Sequence, residues 1–236
     1  MDAEDTAQDV RAALAEVADP ARAAHSARFF KTGPGQYGEG DVFLGATVPQ
    51  VRAVVKRFRR LGFAEIDALL DDPEHEHRLA GVLLLAEASR RDPARAAERY
   101  LAAVRRGRVN NWDLVDASAE HVLGGWLADR DRSLLDELAA SPSLWERRVA
   151  VLTTFHFIKR GDASTTLALA ERLLGDRDDL MHKAVGWMLR EVGKRVSRDQ
   201  LRRFLDAHAA RMPRTMLSYA TEHLPAGERA AYRALR

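Results

Sequence analysis

The sequence predicts an all-α fold, a solenoid of helix pairs that presents one helix of each pair along a concave, basic face. Three observations carry this. Ala, Leu, Arg and Glu dominate and β-branched runs are few, so helix propensity is high along nearly the whole chain. Breakers recur at short intervals and divide the chain into helix-sized segments. A register of 35 residues then runs unbroken through five segments: Glu76–Ala80, Asn111–Val115, Glu146–Ala150, Met181–Val185 and Met216–Ala220. In each, two polar or bulky positions precede an apolar pair. One helix pair per 35 residues is the grammar of an α-solenoid, although an Ala/Leu-rich bundle also throws up chance matches.

The elements follow from the punctuation. Asp19-Pro20, Asp72-Pro73, Asp92-Pro93, Ser141-Pro142 and Met212-Pro213 read as helix starts, because proline is tolerated in the first turn and Asp or Ser can cap. Gly62, Gly107, Gly161 and Gly175 stand where helices stop. The helices expected in order are 5–18, 20–31, 49–60, 63–71, 75–91, 93–106, 112–129, 131–140, 143–160, 163–174, 178–195, 197–211, 213–223 and 226–235. We read 1–236 as one repeat domain, with a Gly-rich loop over 32–47 between the N-terminal helices and the repeats. Four Gly and one Pro within Lys31–Asp41 forbid a helix there. The loop lacks the GxxxxGK[ST] pattern of a phosphate loop. Two readings of it stand: Tyr37 and exposed amides meeting a ligand or phosphate, or a solvated turn.

Composition narrows the chemistry. The chain has 236 residues, 46% of them apolar, which is enough for a sizeable core. No apolar run is long enough to span a bilayer, and the acidic N-terminus lacks a signal pattern, so a cytoplasmic protein is expected. Zero Cys excludes disulfides, thiolate catalysis, Fe–S clusters and zinc fingers. The net charge is only +2, but 32 of the 37 basic residues are Arg. Arg forks suit phosphate, while Arg-rich usage also follows from GC-rich coding. Basic residues cluster at Arg52–Arg60, at Arg105–Arg108 and over Lys183–Arg214, where nine basic residues face three acidic ones. A phosphate-rich partner and solvated helix faces both account for such clusters.

His75-Glu76-His77 invites a metal reading. On a helix the two imidazoles point about 200° apart and cannot share an ion, so the motif reads as solvated surface. His121 and His156 share a repeat phase without a carboxylate cluster and read as packed or capping residues.

The strongest constellation is Asn110–Asp116. Trp112 and Asp116 are four apart and share a helix face, and Asp113 lies near the helix start, where it can cap. In the next repeat Arg147 and Arg148 follow Trp145. In the one after, Trp187 follows Lys183 at four residues. A carboxylate between aromatic walls stabilises a developing cation, and a nearby Arg can hold a phosphate bidentately. Cation development beside phosphate describes cleavage of an N-glycosidic bond in a nucleic acid, where preorganised negative charge lowers the barrier. Against this stands the ordinary structural reading, a core Trp with a capping Asp.

At these residues the sequence resembles the AlkD-type HEAT-like-repeat DNA glycosylases of the DNA alkylation repair family. Trp-Asp-x-Val-Asp at 112–116, Trp-Glu-Arg-Arg-Val-Ala at 145–150 and Lys-Ala-Val-Gly-Trp-Met-Leu-Arg-Glu at 183–191 carry the likeness. So do Ala-Arg-Phe-Phe-Lys at 27–31, Phe-Leu-Gly at 43–45 and the stretch 216–224; the whole spans about residues 20–224. The resemblance implies excision of cationic N3- and N7-alkylpurines from double-stranded DNA without base flipping, by a monomer with no metal and no cofactor. It implies that Asp116 is the catalytic carboxylate, that Trp112 and Trp187 contact the deoxyribose, and that Arg148 binds the DNA backbone. Arg147, Lys183, Arg190, Phe29 and Tyr37 are further expected DNA contacts. Phe29 stands where the family's best-known form has Tyr, and that form lacks the insertion Gly33–Asp41. The competing expectations are a DNA-structure binder that has lost the chemistry and a scaffold for a protein partner.

Overall fold

Helix α5 (His75–Ala88) carries apolar or sequestered side chains on every face, and a helix of that kind has to be central. It packs against α3 (Val48–Arg57), α4 (Phe63–Leu70), α6 (Pro93–Arg105), α7 (Trp112–Ala119) and α1 (Ala7–Ala15). The computed structural model describes residues 5–235. Among these the regular structure is helical, with one isolated bridge between Val42 and Glu74. The chain divides between Val122 and Leu123 into two compact units. The first holds α1 to α7, including α2 (Pro20–Phe29). The second holds α8 (Ser133–Ala139), α9 (Leu144–Thr153), α10 (Phe155–Lys159), α11 (Ser164–Arg172), α12 (Asp179–Arg195), α13 (Arg198–His208), α14 (Arg214–Ala220) and α15 (Ala226–Ala234). The five segments of the 35-residue register open α5, α7, α9, α12 and α14, and the other helices from α6 to α13 fall between them.

Local chemistry sets the boundaries. Thr6 and Asp9 form a capping box at α1, and Asp19 and Asp92 cap α2 and α6 with Pro at the first helical position. At 73, 142 and 213 the proline stands at or before the cap instead, and Glu74, Ser143 and Pro213 itself take the N-cap. Gly107 and Gly161 adopt φ of 72° and 82° just past α6 and α10, the left-handed geometry that ends a helix.

Two expected helices are interrupted. The segment 143–160 breaks at Thr154 into α9 and α10. The Thr153 hydroxyl donates to the Val149 carbonyl at 2.7 Å and the Thr154 hydroxyl to Val151 at 2.7 Å, a back-bonding that bends helices. The segment 112–129 leaves α geometry after Ala119 for a π turn, Glu120–Gly124. There Gly124 leaves no room for a β-carbon, which would sit 2.5 Å from His156 Cβ.

His75, Glu76 and His77, expected on the surface, are buried. The reason lies in partners distant in sequence. Glu76 accepts the backbone N–H groups of Leu44 (2.9 Å) and Gly45 (2.8 Å), His75 sits between two carboxylates, and His77 Nδ1 lies 2.9 Å from Asp72. The motif clamps the end of the Gly-rich loop onto α5.

In the second unit α12 packs on α9, α11, α13 and α14. It meets α14 closely at Gly186, where an added β-carbon would lie 2.5 Å from the Met216 carbonyl oxygen and 2.6 Å from Tyr219 Cβ. Gly186→Ala is therefore expected to cost about 1–3 kcal/mol through overpacking, despite its better helix propensity. The shift of the urea midpoint at unchanged m-value measures this.

Candidate active site on helix α7

Helix α7 begins where Asn111, fully buried, accepts the backbone N–H of Trp112 on its side-chain oxygen at 2.9 Å. Trp112 is thus the first helical residue and Asp116 follows one turn later on the same face; both are half-buried. The Trp112 indole stacks on Phe30 with centroids 5.3 Å apart and planes at 22°, and meets Phe29 edge-on at 6.1 Å. Phe29 is 58% exposed, so the aromatic group has one ring open to solvent. The column continues inward: Phe30 stacks on Phe43 at 5.1 Å and lies 5.1 Å from His75, and Phe43 stacks on His75 at 4.6 Å. Beneath α7, the Ser118 hydroxyl lies within hydrogen-bond distance of the buried Tyr100 phenol oxygen, at 2.9 Å. Burial, and then the negative charge of Asp116, push the Tyr100 phenol well above its usual range.

An ionic cluster anchors this end of α7. Asp41, the last residue of the Gly-rich stretch, accepts from Arg78 Nη2 (2.6 Å), Asn110 Nδ2 (3.1 Å) and Asn111 Nδ2 (3.2 Å), and faces His75 Nδ1 at 3.2 Å. His75 Nε2 lies 2.8 Å from Asp113 Oδ2, and Asp113 Oδ1 accepts the Leu114 N–H at 2.9 Å. Asp113 thus caps locally, as expected, and also pairs across to α5. Burial opposes charge on Asp41, but the His75 hydrogen bond and the Arg78 guanidinium outweigh it and hold the carboxyl below its ordinary value. Burial likewise opposes protonation of His75, yet hydrogen bonds to Asp113 and Asp41 raise it to about 9. A group whose folded pKa is raised adds stability that is complete below its unfolded value, about 6.5, and is lost as pH rises through about 9. Stability is therefore expected to decline between these values. Urea midpoints measured across that range should show a slope in the wild type that is absent from His75→Gln.

In the second unit, α12 carries Lys183, Trp187, Arg190 and Lys194 along one stripe. The half-buried Trp187 ring lies 5.9 Å from Phe155, and the Phe155 ring takes the Lys159 ammonium at 4.4 Å and the Arg195 guanidinium at 5.3 Å. The cations expected on DNA have partners within the chain. Arg147 holds Asp176 (2.7 Å), Asp178 (2.5 Å) and the carbonyls of Ser141 (3.0 Å) and Pro142 (2.9 Å). Arg148 is 4% exposed and donates to the Leu180 carbonyl at 2.6 Å. Lys183 pairs with Asp179 at 2.8 Å, and Arg190 with Glu222 and Glu191. Tyr37 is half-buried beneath the Lys31 ammonium at 5.9 Å.

Asp72, Glu74 and His77 gather donor atoms within 4.8 Å of one another. Arg11 Nε already holds Asp72 at 2.6 Å, so the group reads as an ion-pair knot tying α1 to the start of α5.

The sequence puts Trp112 and Asp116 on one helix face and offers Phe29 only as a DNA contact; in the structure Phe29 meets the Trp112 ring edge-on. It missed Phe30, Phe43, Phe155 and the Asp41–His75–Asp113 bridge. The adjacent aromatics at 29–30 and the acid closing the Gly-rich stretch were the available signals.

In fold, the chain is similar to a solved structure described as a predicted DNA alkylation repair enzyme from Enterococcus faecalis, with a TM-score of 0.72 and 18% identity over 89% of this chain and 97% of that one. No curated protein matches it in sequence. The family model for DNA alkylation repair enzymes matches residues 10–224. A match over so much of the chain is decisive, and the protein belongs to the DNA alkylation repair enzyme family.

Proposed function

We propose that the protein is a monofunctional glycosylase that releases cationic N3- and N7-alkylpurines from duplex DNA without flipping the lesion out of the stack. The observation that carries this reading is the pairing on α7. A carboxylate stands one turn from an indole, on a helix edged by aromatic rings of which Phe29 is open, in a chain of a DNA-repair family.

The lesion is already positively charged, so the base can leave with the glycosidic electron pair as a neutral molecule, and little base recognition is needed. Positive charge then develops on the deoxyribose ring. Asp116 supplies fixed negative charge for it, and the Trp112 face adds cation–π attraction of up to about 2 kcal/mol once water is excluded. Asp116 also orients the water that adds to C1′. That water gives up a proton to bulk solvent as the sugar becomes an abasic site. Trp187 beside Phe155 offers the same aromatic chemistry in the second unit.

Lys183 and Arg190 hold exposed acids, Asp179 and Glu222, which a backbone phosphate can replace at little cost. Arg147 and Arg148 keep their ties, to Asp176 and to the Leu180 carbonyl, and act on the DNA backbone through their charge alone. Phe29 supplies a ring without a hydroxyl, and Tyr37 a further contact from the Gly-rich loop. The protein would work as a monomer on chromosomal DNA in the cytoplasm.

The test is mass spectrometry of bases freed from methylated duplex DNA by the wild-type protein. N7-methylguanine or N3-methyladenine is expected in the soluble fraction. Salt-dependent duplex binding with no base released would replace the enzyme with a binder of DNA structure.

A further inference from the structure

We propose that His75 is a positioning residue for Trp112 and Asp116: bridging Asp41 and Asp113, and stacked in the ring column that ends on Trp112, it sets the start of α7 and with it the aspect of both side chains. The effect on turnover rests on the glycosylase reading; the effect on Trp112 does not.

Both ring nitrogens of His75 meet carboxylate oxygens, Nδ1 at 3.2 Å from Asp41 and Nε2 at 2.8 Å from Asp113. Carboxylates only accept, so both nitrogens carry protons and the ring is an imidazolium. With Arg78 opposite Asp41, two cations then balance two anions in a closed, neutral cluster. Its members come from three segments: the end of the Gly-rich loop, α5 and α7.

Two routes lead from His75 to Trp112. One is ionic: Asp113 follows Trp112 in the chain, and Asn110 and Asn111, which precede it, donate to Asp41. The other runs through rings: His75 lies 5.1 Å from Phe30, which stacks on the indole at 5.3 Å. A cation against aromatic faces is favourable, so the two routes reinforce each other. This gives a purpose to the His-Glu-His motif, which the catalytic reading left over, and to Asp41 at the end of the Gly-rich loop.

The experiment uses the full chain labelled with 5-fluorotryptophan, with the Trp112 fluorine resonance assigned through Trp112→Phe. In folded His75→Gln and Asp41→Asn, the Trp112 resonance is expected to shift while those of Trp126, Trp145 and Trp187 stay in place. Single-turnover release of methylated base should fall about tenfold, because small misplacements of catalytic groups are costly, with duplex Kd within about twofold of wild type. Asp41→Asn takes one carboxylate charge from His75 and leaves the rings in place, so it carries the test if His75→Gln does not fold. An unmoved Trp112 resonance in a folded variant overturns the proposal, and so does a moved resonance with wild-type release. If the wild type frees no base, the glycosylase reading falls, and the resonance alone decides whether His75 positions Trp112.

Discussion

Asp116→Asn should lower release of N7-methylguanine from methylated duplex DNA by about 10²–10³-fold while duplex affinity stays near wild type. The substitution keeps shape and removes only charge. The deoxyribosyl cation has no full charge in the ground state, so the negative charge of Asp116 matters chiefly as the bond breaks. Its loss therefore belongs in the rate of the chemical step and not in binding. Single-turnover kinetics with enzyme in excess, alongside filter-binding titrations, separate the two. Unchanged release would remove Asp116 from its role. A parallel loss of affinity and rate would make it a structural residue of α7, consistent with its closeness to the buried Tyr100 phenol.

The second large effect concerns stability. Asp41→Ala is expected to cost about 3–5 kcal/mol, the range for removing one partner of a buried ion pair. The Asp41 and Arg78 side chains are each 3% exposed and His75 2%, so the two cations left behind cannot recover their hydration. The same deletion frees the side-chain amides of Asn110 and Asn111. Urea denaturation of wild type and variant at pH 7 measures the difference. A loss under about 1 kcal/mol would mean that water or backbone relaxation replaces the carboxylate, and that the loop is not held as described. Asp41→Asn, which keeps the shape but not the charge, should fall between the two.

What could be read before any coordinates was local. Helix propensity, Asp-Pro starts and left-handed Gly stops act over a few residues, and they located the starts of α5, α7, α9, α12 and α14 to within one position. Trp112 and Asp116 share a face because they are four apart on a helix, whatever lies around them. The breaks at Thr154 and after Ala119 escaped notice because side-chain back-bonding and the tight seat of Gly124 against His156 compete with propensity and do not alter it.

Burial of polar groups lay beyond that reach. Whether His75 faces water depends on Asp41, 34 positions earlier, and on Asp113, 38 positions later. A histidine with no visible partner reads as surface, because an unpaired buried charge is prohibitive. The same blindness applied to Arg147, which reads as free to meet phosphate until Asp176 and Asp178 close on it. Periodicity reports which side chains point together along one helix. Only the packed chain decides which distant charge stands opposite, and that choice separates a solvated cation from a structural one.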